Sequence, residues 1–166
     1  MFELRGGEEM LAVDPATMTP DGHVVFIGQV GSPWKTRETC PKNMRAARET
    51  GQRAWLQVDA PYRAGLAGLE GCTHVIVLTW LHRAPRNLIV QKPRHASEAK
   101  GVFALRSPAR PNPVGLHVAR LLSLDIAAGR LGLEAIDVLD GTPLIDIKPY
   151  LVSADAPESE PEPQRK

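Results

Sequence analysis

The sequence predicts a mainly β protein: a small closed β-barrel with a few short helices. Three observations carry this expectation. Several short segments are rich in β-branched and aromatic residues, helical periodicity is sparse, and one pair of alternating segments flanks a tight-turn signal. A chain of 166 residues is long enough to bury a core of its own as one domain.

Residues 1–22 form a mixed polar lead-in that ends at Pro20-Asp21-Gly22. The main domain is expected over 23–152, beginning with a strand at HVVFIGQV (His23–Val30). CPKNMRAARETG (Cys40–Gly51) suits a short helix with Pro41 near its start. AWLQVD (Ala54–Asp59) reads as a second strand, and YRAGLAGLEG (Tyr62–Gly71) as a further helical turn. THVIVLTWLH (Thr73–His82) and GVFAL (Gly101–Leu105) read as strands. Gly115–Gly141 reads as two or three more, with LLSLDI and LGLEAI alternating on either side of a hairpin turn at Ala127–Arg130. Within it, PVGLHVARLLSL has an apolar spacing that fits a helix as well as a strand. Residues 153–166 are Pro- and Glu-rich and are expected to be disordered.

Composition excludes several classes. At 43% hydrophobic and 23% charged residues, the chain has the make-up of a soluble globular protein. The longest apolar run, Val75–Leu81, is far too short to span a bilayer. The start carries acids and lacks the basic-then-apolar order of a secretory signal. Cys40 and Cys72 form no CxxC pair, so a reduced, cytoplasmic protein with no membrane partner is expected. No GxGxxG, no phosphate loop and no GxSxG elbow is present. His23, His74, His82, His95 and His117 show no ligand spacing, so no metal is expected.

Charge is unevenly placed although the net value is only +1. From Arg83 to Arg120 eight Lys/Arg stand against the single acid Glu98, whereas Asp125–Asp146 holds five acids against Arg130. A basic block of this density suits a polyanion such as nucleic acid, or simply a solvated face. Inside it, Arg106–Leu122 (RSPARPNPVGLHVARLL) places Pro108, Pro111 and Pro113 among arginines. Proline fixes φ and biases the residue before it towards extended geometry, so arginines mounted on this frame lose little entropy on meeting an anion. A Pro-rich connection with solvated charges is the plainer alternative.

Four dense stretches stand out: IGQVGSPWKT (Ile27–Thr36), CPKN (Cys40–Asn43), WLHRAPR (Trp80–Arg86) and GVFALRSPARPNPVGL (Gly101–Leu116). DVLDGTPLIDIKPY (Asp137–Tyr150) joins them. In unbroken order from about His23 to Tyr150, this set resembles the TsaA-like family, also called TrmO or YaeB, of S-adenosylmethionine-dependent tRNA methyltransferases. The resemblance implies a small β-barrel that acts as a homodimer with S-adenosylmethionine near the dimer interface. The implied reaction is N6-methylation of threonylcarbamoyl-adenosine at position 37, in the anticodon loop of a threonine tRNA. Two alternatives stay open: a regulatory module that binds S-adenosylmethionine without turnover, and a methyltransferase for another acceptor.

Carried over position by position, the resemblance assigns the cofactor to Pro41, Lys42, Asn43, Leu81, His82, Arg106, Leu116, Leu139, Asp140, Gly141 and Thr142. Pro-Lys-Asn replaces the Pro-Arg-Gln of better-known bacterial members, and FALRSP replaces their FATRSP. Asp140 either accepts from a ligand hydroxyl or ammonium or only caps its own turn. Nitrogen N6 of a carbamoylated adenine is a poor nucleophile, so a proton acceptor is expected, and Asp137, Asp140 and Tyr150 are candidates by residue type. Arg83, Arg86, Lys92, Arg94, Lys100 and Arg110 are the expected RNA contacts.

Overall fold

A computed structural model describes residues 4–93 and 96–156. Along the chain, nine strands follow one another: β1 (Glu9–Met10), β2 (Gly28–Gly31), β3 (Ala54–Val58), β4 (His74–Trp80), β5 (Leu88–Gln91), β6 (Lys100–Gly101), β7 (Val114–Asp125), β8 (Arg130–Leu133) and β9 (Pro143–Pro149). Six of them close a barrel in the order β2-β3-β8-β7-β4-β9, with every neighbouring pair antiparallel. The other three form a small sheet, β1-β5-β6. The barrel expected from the sequence is present.

Alternation builds the core. Strand β4 buries Val75, Val77 and Thr79 and turns Ile76, Leu78 and Trp80 outward, the period of two that one buried face demands. Its neighbour β7 likewise buries Gly115, His117 and Ala119. Val30, Leu56, Val58, Leu131, Leu133 and Leu144 fill the rest of the interior. Thr79 and His117 are buried polar side chains set into this otherwise apolar interior. The ambiguous PVGLHVARLLSL segment is strand, because Val114–Arg120 pairs with β4 along its whole length.

Strand β8 reaches β7 only at Leu121–Asp125, so residues 114–120 have no strand on that flank. Side chains cover it. Arg106 donates from Nη2 to the Leu116 carbonyl (3.2 Å) and Arg48 from Nη2 to the Val118 carbonyl (2.8 Å). Arg48 itself comes from the short helix α1 (Met44–Glu49), whose first turn is capped by Asn43.

Several expectations need correction. The strand expected from His23 begins only at Gly28. Ile27 just before it still donates its amide to the Leu144 carbonyl and accepts from the Asp59 amide, both at 2.9 Å, but Val24, Val25 and Phe26 ahead of it stay exposed. GVFAL is not a strand: after Lys100–Gly101 it winds into a 3-10 turn at Val102–Ala104, because the Arg110 guanidinium collects the carbonyls of Val102, Leu105 and Ser107. Gly115–Gly141 holds two strands, and the Ala127–Arg130 turn joins them as expected, closed by the Asp125–Arg130 pair. Strands β1, β5 and β9 have no counterpart in the sequence reading. Prolines at both ends of β9 disguise it, yet end positions are where a strand tolerates proline. The lead-in is tied to the domain, since Glu9 and Met10 pair with Val90 and Leu88. Val152–Asp155 forms a helical turn, whereas 157–166 lie outside the described residues. No described helix is long and apolar enough to cross a membrane.

Candidate active site

One end of the barrel gathers most of the residues singled out above. Trp80 closes β4 opposite Val114, and Thr79 lies between Gly115 on one side and Leu144 on the other. The start of the arginine-bearing loop's strand and the Asp-Gly-Thr-Pro turn thus flank a single strand, about 10 Å apart at the usual strand spacing. Leu81 donates its amide to the Pro113 carbonyl at 2.8 Å, which ties Leu81–His82 to this end. Arg106 reaches Leu116 from the loop above it. Pro41–Asn43 joins through Cys40, which is near enough to Asp137 for the carboxylate to act on its thiol.

The turn at 139–142 is built for rigidity. Gly141 has φ +72°, a left-handed conformation that favours glycine. Thr142 donates its hydroxyl to the Leu139 carbonyl at 2.6 Å. Asp140 accepts from the Ser32 amide at 3.0 Å and from Lys35 Nζ at 2.6 Å. The Lys35 ammonium first, then the Ser32 amide, hold the Asp140 carboxyl below the ordinary aspartate range. Both of its oxygens are therefore engaged, and a carboxylate stabilised in this way is a weak proton acceptor. The plainer reading of Asp140, a residue that fixes its own corner, is the one this geometry supports.

Asp137 is different. Its Oδ1 lies 2.7 Å from His117 Nδ1, and His117 Nε2 lies 3.0 Å from the hydroxyl of Thr79. His117 is 5% exposed and Thr79 is fully buried, so this chain of bonds is inside the barrel wall. A Thr79 hydroxyl that donates to Nε2, with Nδ1–H donating to Asp137, satisfies all three groups. Only Oδ1 of Asp137 is engaged among the described residues, which leaves Oδ2 for another partner. The arrangement depends on Gly115: a Cβ there would stand 2.4 Å from Thr79 Oγ1 and 2.6 Å from His117 Nε2. Burial, then the charge of Asp137, pushes the Cys40 thiol up to about 11, so Cys40 is no nucleophile at neutral pH.

Sequence reasoning missed His117 and Thr79. A histidine two residues after a glycine and two before an alanine, on a strand-compatible segment, was the available signal.

Tyr150 is not part of this end. Its amide bonds to the His74 carbonyl and its ring meets the His74 ring edge-on, 6.4 Å between centroids. His74 begins β4, three residues before Val77, the register partner of His117, a separation of roughly 10 Å along the strand at about 3.3 Å per residue. Among the described residues no hydrogen bond joins Tyr150 to the Asp137–His117–Thr79 chain. Two of the expected RNA contacts also have other work. Arg86 donates to the Pro111 carbonyl at 2.6 Å and lies over the Trp80 ring, and Arg110 locks the 102–107 loop from beneath. Lys92 is half-buried, Arg83 and Lys100 are exposed, and Arg94 lies outside the described residues. Among the described residues no group of three or more His, Cys, Asp or Glu is placed to hold a metal ion.

The family model described as the tRNA-methyltransferase O N-terminal domain matches residues 29–156. The chain belongs to this family. A probable S-adenosyl-L-methionine-binding protein of Methanothermobacter thermautotrophicus is 41% identical over 130 residues, 78% of this chain and 90% of the relative. A protein of the same description from Archaeoglobus fulgidus is 43% identical over 131 residues, but the match spans only 34% of its length. A mouse tRNA (adenine(37)-N6)-methyltransferase is 40% identical over 97 residues, 57% of this chain and 22% of that protein. The crystal structure of TrmO from Pseudomonas aeruginosa superposes with a TM-score of 0.67 at 37% identity, covering 84% of this chain and 59% of that one. This member of the TrmO N-terminal domain family therefore spans well under two thirds of several of its relatives.

The residues at the barrel end fit S-adenosylmethionine chemically. Leu81 is half-buried and Leu116 is 48% exposed, apolar surface suited to a purine face. Lys42 and Arg106 are exposed cations for a carboxylate. Asn43 is less available, because its Oδ1 caps α1 by accepting from the Ala46 amide at 2.9 Å.

Proposed function

We propose that the protein is an S-adenosylmethionine-dependent methyltransferase acting on tRNA, at N6 of threonylcarbamoyl-adenosine 37, with a threonine tRNA as substrate. The observation that carries this reading is the single barrel end where the family-matched segments converge around a carboxylate, Asp137, held by a buried histidine. Lys42, Arg106, Leu81, Leu116 and the Leu139–Thr142 turn hold the cofactor, with His82 at the rim. When bound there, the cofactor supplies an electrophilic methyl group on a sulfonium.

The chain's own residues do the rest. Asp137 takes the proton that N6 loses, at Oδ2, as the methyl group replaces it. His117 Nδ1–H fixes the carboxylate's direction, and the Thr79 hydroxyl fixes the ring. Buried walls of Thr79, His117 and Leu144 keep water from the reacting nitrogen. Of the expected RNA contacts, Arg83 and Lys100 are the exposed described cations that meet phosphate.

Dimerisation belongs to the same proposal. The outer faces of β4 and β7 pair Trp80 with Val114, Leu78 with Leu116 and Ile76 with Val118, an apolar strip that runs up to the cofactor positions. A second copy covers it. Leu116→Asp should therefore yield a monomer in sedimentation velocity, whereas an unchanged sedimentation coefficient removes this part of the reading.

Incubation with methyl-labelled cofactor and tRNA, with and without threonylcarbamoylation, tests the function directly. Label confined to the modified tRNA is the expected result. The names of the archaeal relatives favour one rival, a module that binds the cofactor without turnover. Tight cofactor binding with no label in any tRNA would establish that rival, and label in unmodified tRNA would reassign the acceptor.

A further inference from the structure

We infer that Phe103 is a platform on which an unpaired base of the RNA stacks. The inference rests on the tRNA reading above and names how that substrate is gripped. Phe103 is 79% exposed, the most exposed large hydrophobic among the described residues. Scattered exposed apolar groups are ordinary, so exposure alone says little. The mount is what distinguishes this one.

Phe103 sits at the centre of the 3-10 turn Val102–Ala104, and its neighbour Val102 is fully buried. Before the turn, Gly101 pairs with Val90 of β5. After it, Arg110 binds the carbonyls of Val102, Leu105 and Ser107 at once, and the Ser107 hydroxyl accepts from the Ala109 amide. The loop is held from both ends and from beneath while the ring points into solvent. A flat apolar face whose ordering cost is met in the free protein is what a stacking contact needs.

The surroundings select the partner. No acidic residue lies between Glu98 and Asp125 in the sequence. Lys100 and Arg106, both exposed, stand three residues before and three residues after the ring. Arg106 also reaches Leu116, next to the cofactor positions. Phe103 is therefore placed between a cation free for phosphate and one at the cofactor end. A single-stranded nucleic acid uses both features together: bases stack on the ring and phosphates meet the cations.

The test measures binding of an anticodon stem-loop RNA by fluorescence anisotropy, with thermal unfolding and cofactor titration as controls. Phe103→Leu keeps the apolar bulk and removes the aromatic face, and it should weaken RNA binding about tenfold or more. Phe103→Trp should bind about as wild type, with its indole emission quenched by the RNA. The salt dependence should keep its slope in both variants, whereas Lys100→Ala should lower the slope by about one. Wild-type affinity in Phe103→Leu, or an unquenched Phe103→Trp that still binds, would overturn the inference while leaving the tRNA reading standing. A wild-type protein that binds no RNA would overturn both. Loss of RNA binding in Phe103→Leu that tracks conversion to monomer would assign the ring to the second copy instead.

Discussion

Replacing Gly115 with alanine tests the buried His117 arrangement with a single methyl group. The added Cβ would stand 2.4 Å from Thr79 Oγ1 and 2.6 Å from His117 Nε2, well inside contact distance. Neither neighbour is the free end of a flexible side chain: Thr79 is fully buried and His117 nearly so. Forcing a methyl group into a packed interior costs about 1–3 kcal/mol. Separating Thr79 from His117 removes a buried hydrogen bond and strands its partners, a further ~1–3 kcal/mol. With partial overlap of the two terms, a loss of about 3 kcal/mol is expected. For a domain of this size each kcal/mol moves Tm by roughly 2–4 °C, so the midpoint should fall by about 6–12 °C. The assay is thermal and urea unfolding followed by circular dichroism. Gly101→Ala is the control, since a Cβ there meets nothing within 4 Å and the residue has φ −57°. Its stability should stay within about 0.5 kcal/mol of wild type. If both variants unfold alike, His117 does not lie across Gly115 and the positioning of Asp137 by His117 is wrong.

Four further outcomes are expected. Alkylation of Cys40 by iodoacetamide, read by peptide mass spectrometry, should keep accelerating with pH up to about 11, and Asp137→Asn should lower that midpoint; a plateau by pH 9 would contradict the burial and charge assigned to this thiol. The Asp140 carboxyl is depressed in the fold, so its contribution to stability is complete above the ordinary aspartate range and disappears as pH falls through the lowered value. Lys35→Met should accordingly be less stable than wild type at pH 7, by no more than about 0.5 kcal/mol because Lys35 is 69% exposed, with the difference vanishing in acid. Tyr150→Phe should retain methyl transfer within about twofold, since among the described residues no hydrogen bond joins Tyr150 to the Asp137–His117–Thr79 chain; a loss of a hundredfold or more would return it to the site. Binding of tRNA should weaken steeply between low and physiological salt, whereas a flat response would make the Arg83–Arg120 block a solvated surface.

The barrel was legible because alternation along β3, β4 and β8 depends on local sequence. What escaped depends on partners distant in the chain. His23–Phe26 has strand composition but pairs with no strand, and β9 has neighbours in register but prolines at its ends. The arginine-rich loop shows the same limit at the site. Its prolines did announce a stiff segment, but much of the stiffness comes from Arg86 and Arg110, which bind the loop's own carbonyls. Residue type cannot distinguish an arginine that serves its own backbone from one that serves a ligand. Asp137 and Asp140, three residues apart in one motif, were likewise equivalent on paper. The structure separates them through Lys35 on one and His117 on the other. His117 itself had no conventional motif to reveal it, and its importance rests on Gly115 leaving room for the ring.

The long strand β7 leaves carbonyls beyond the reach of β8, and two guanidinium groups answer them. A bare run of acceptors invites a stray polypeptide to zip alongside, the route to domain exchange and fibrils. Arg48, itself ion-paired with Glu134 at 2.8 Å, and Arg106 occupy those acceptors, so self-templating is refused there at no cost in barrel geometry. Neutralising both side chains should endanger solubility before it endangers folding.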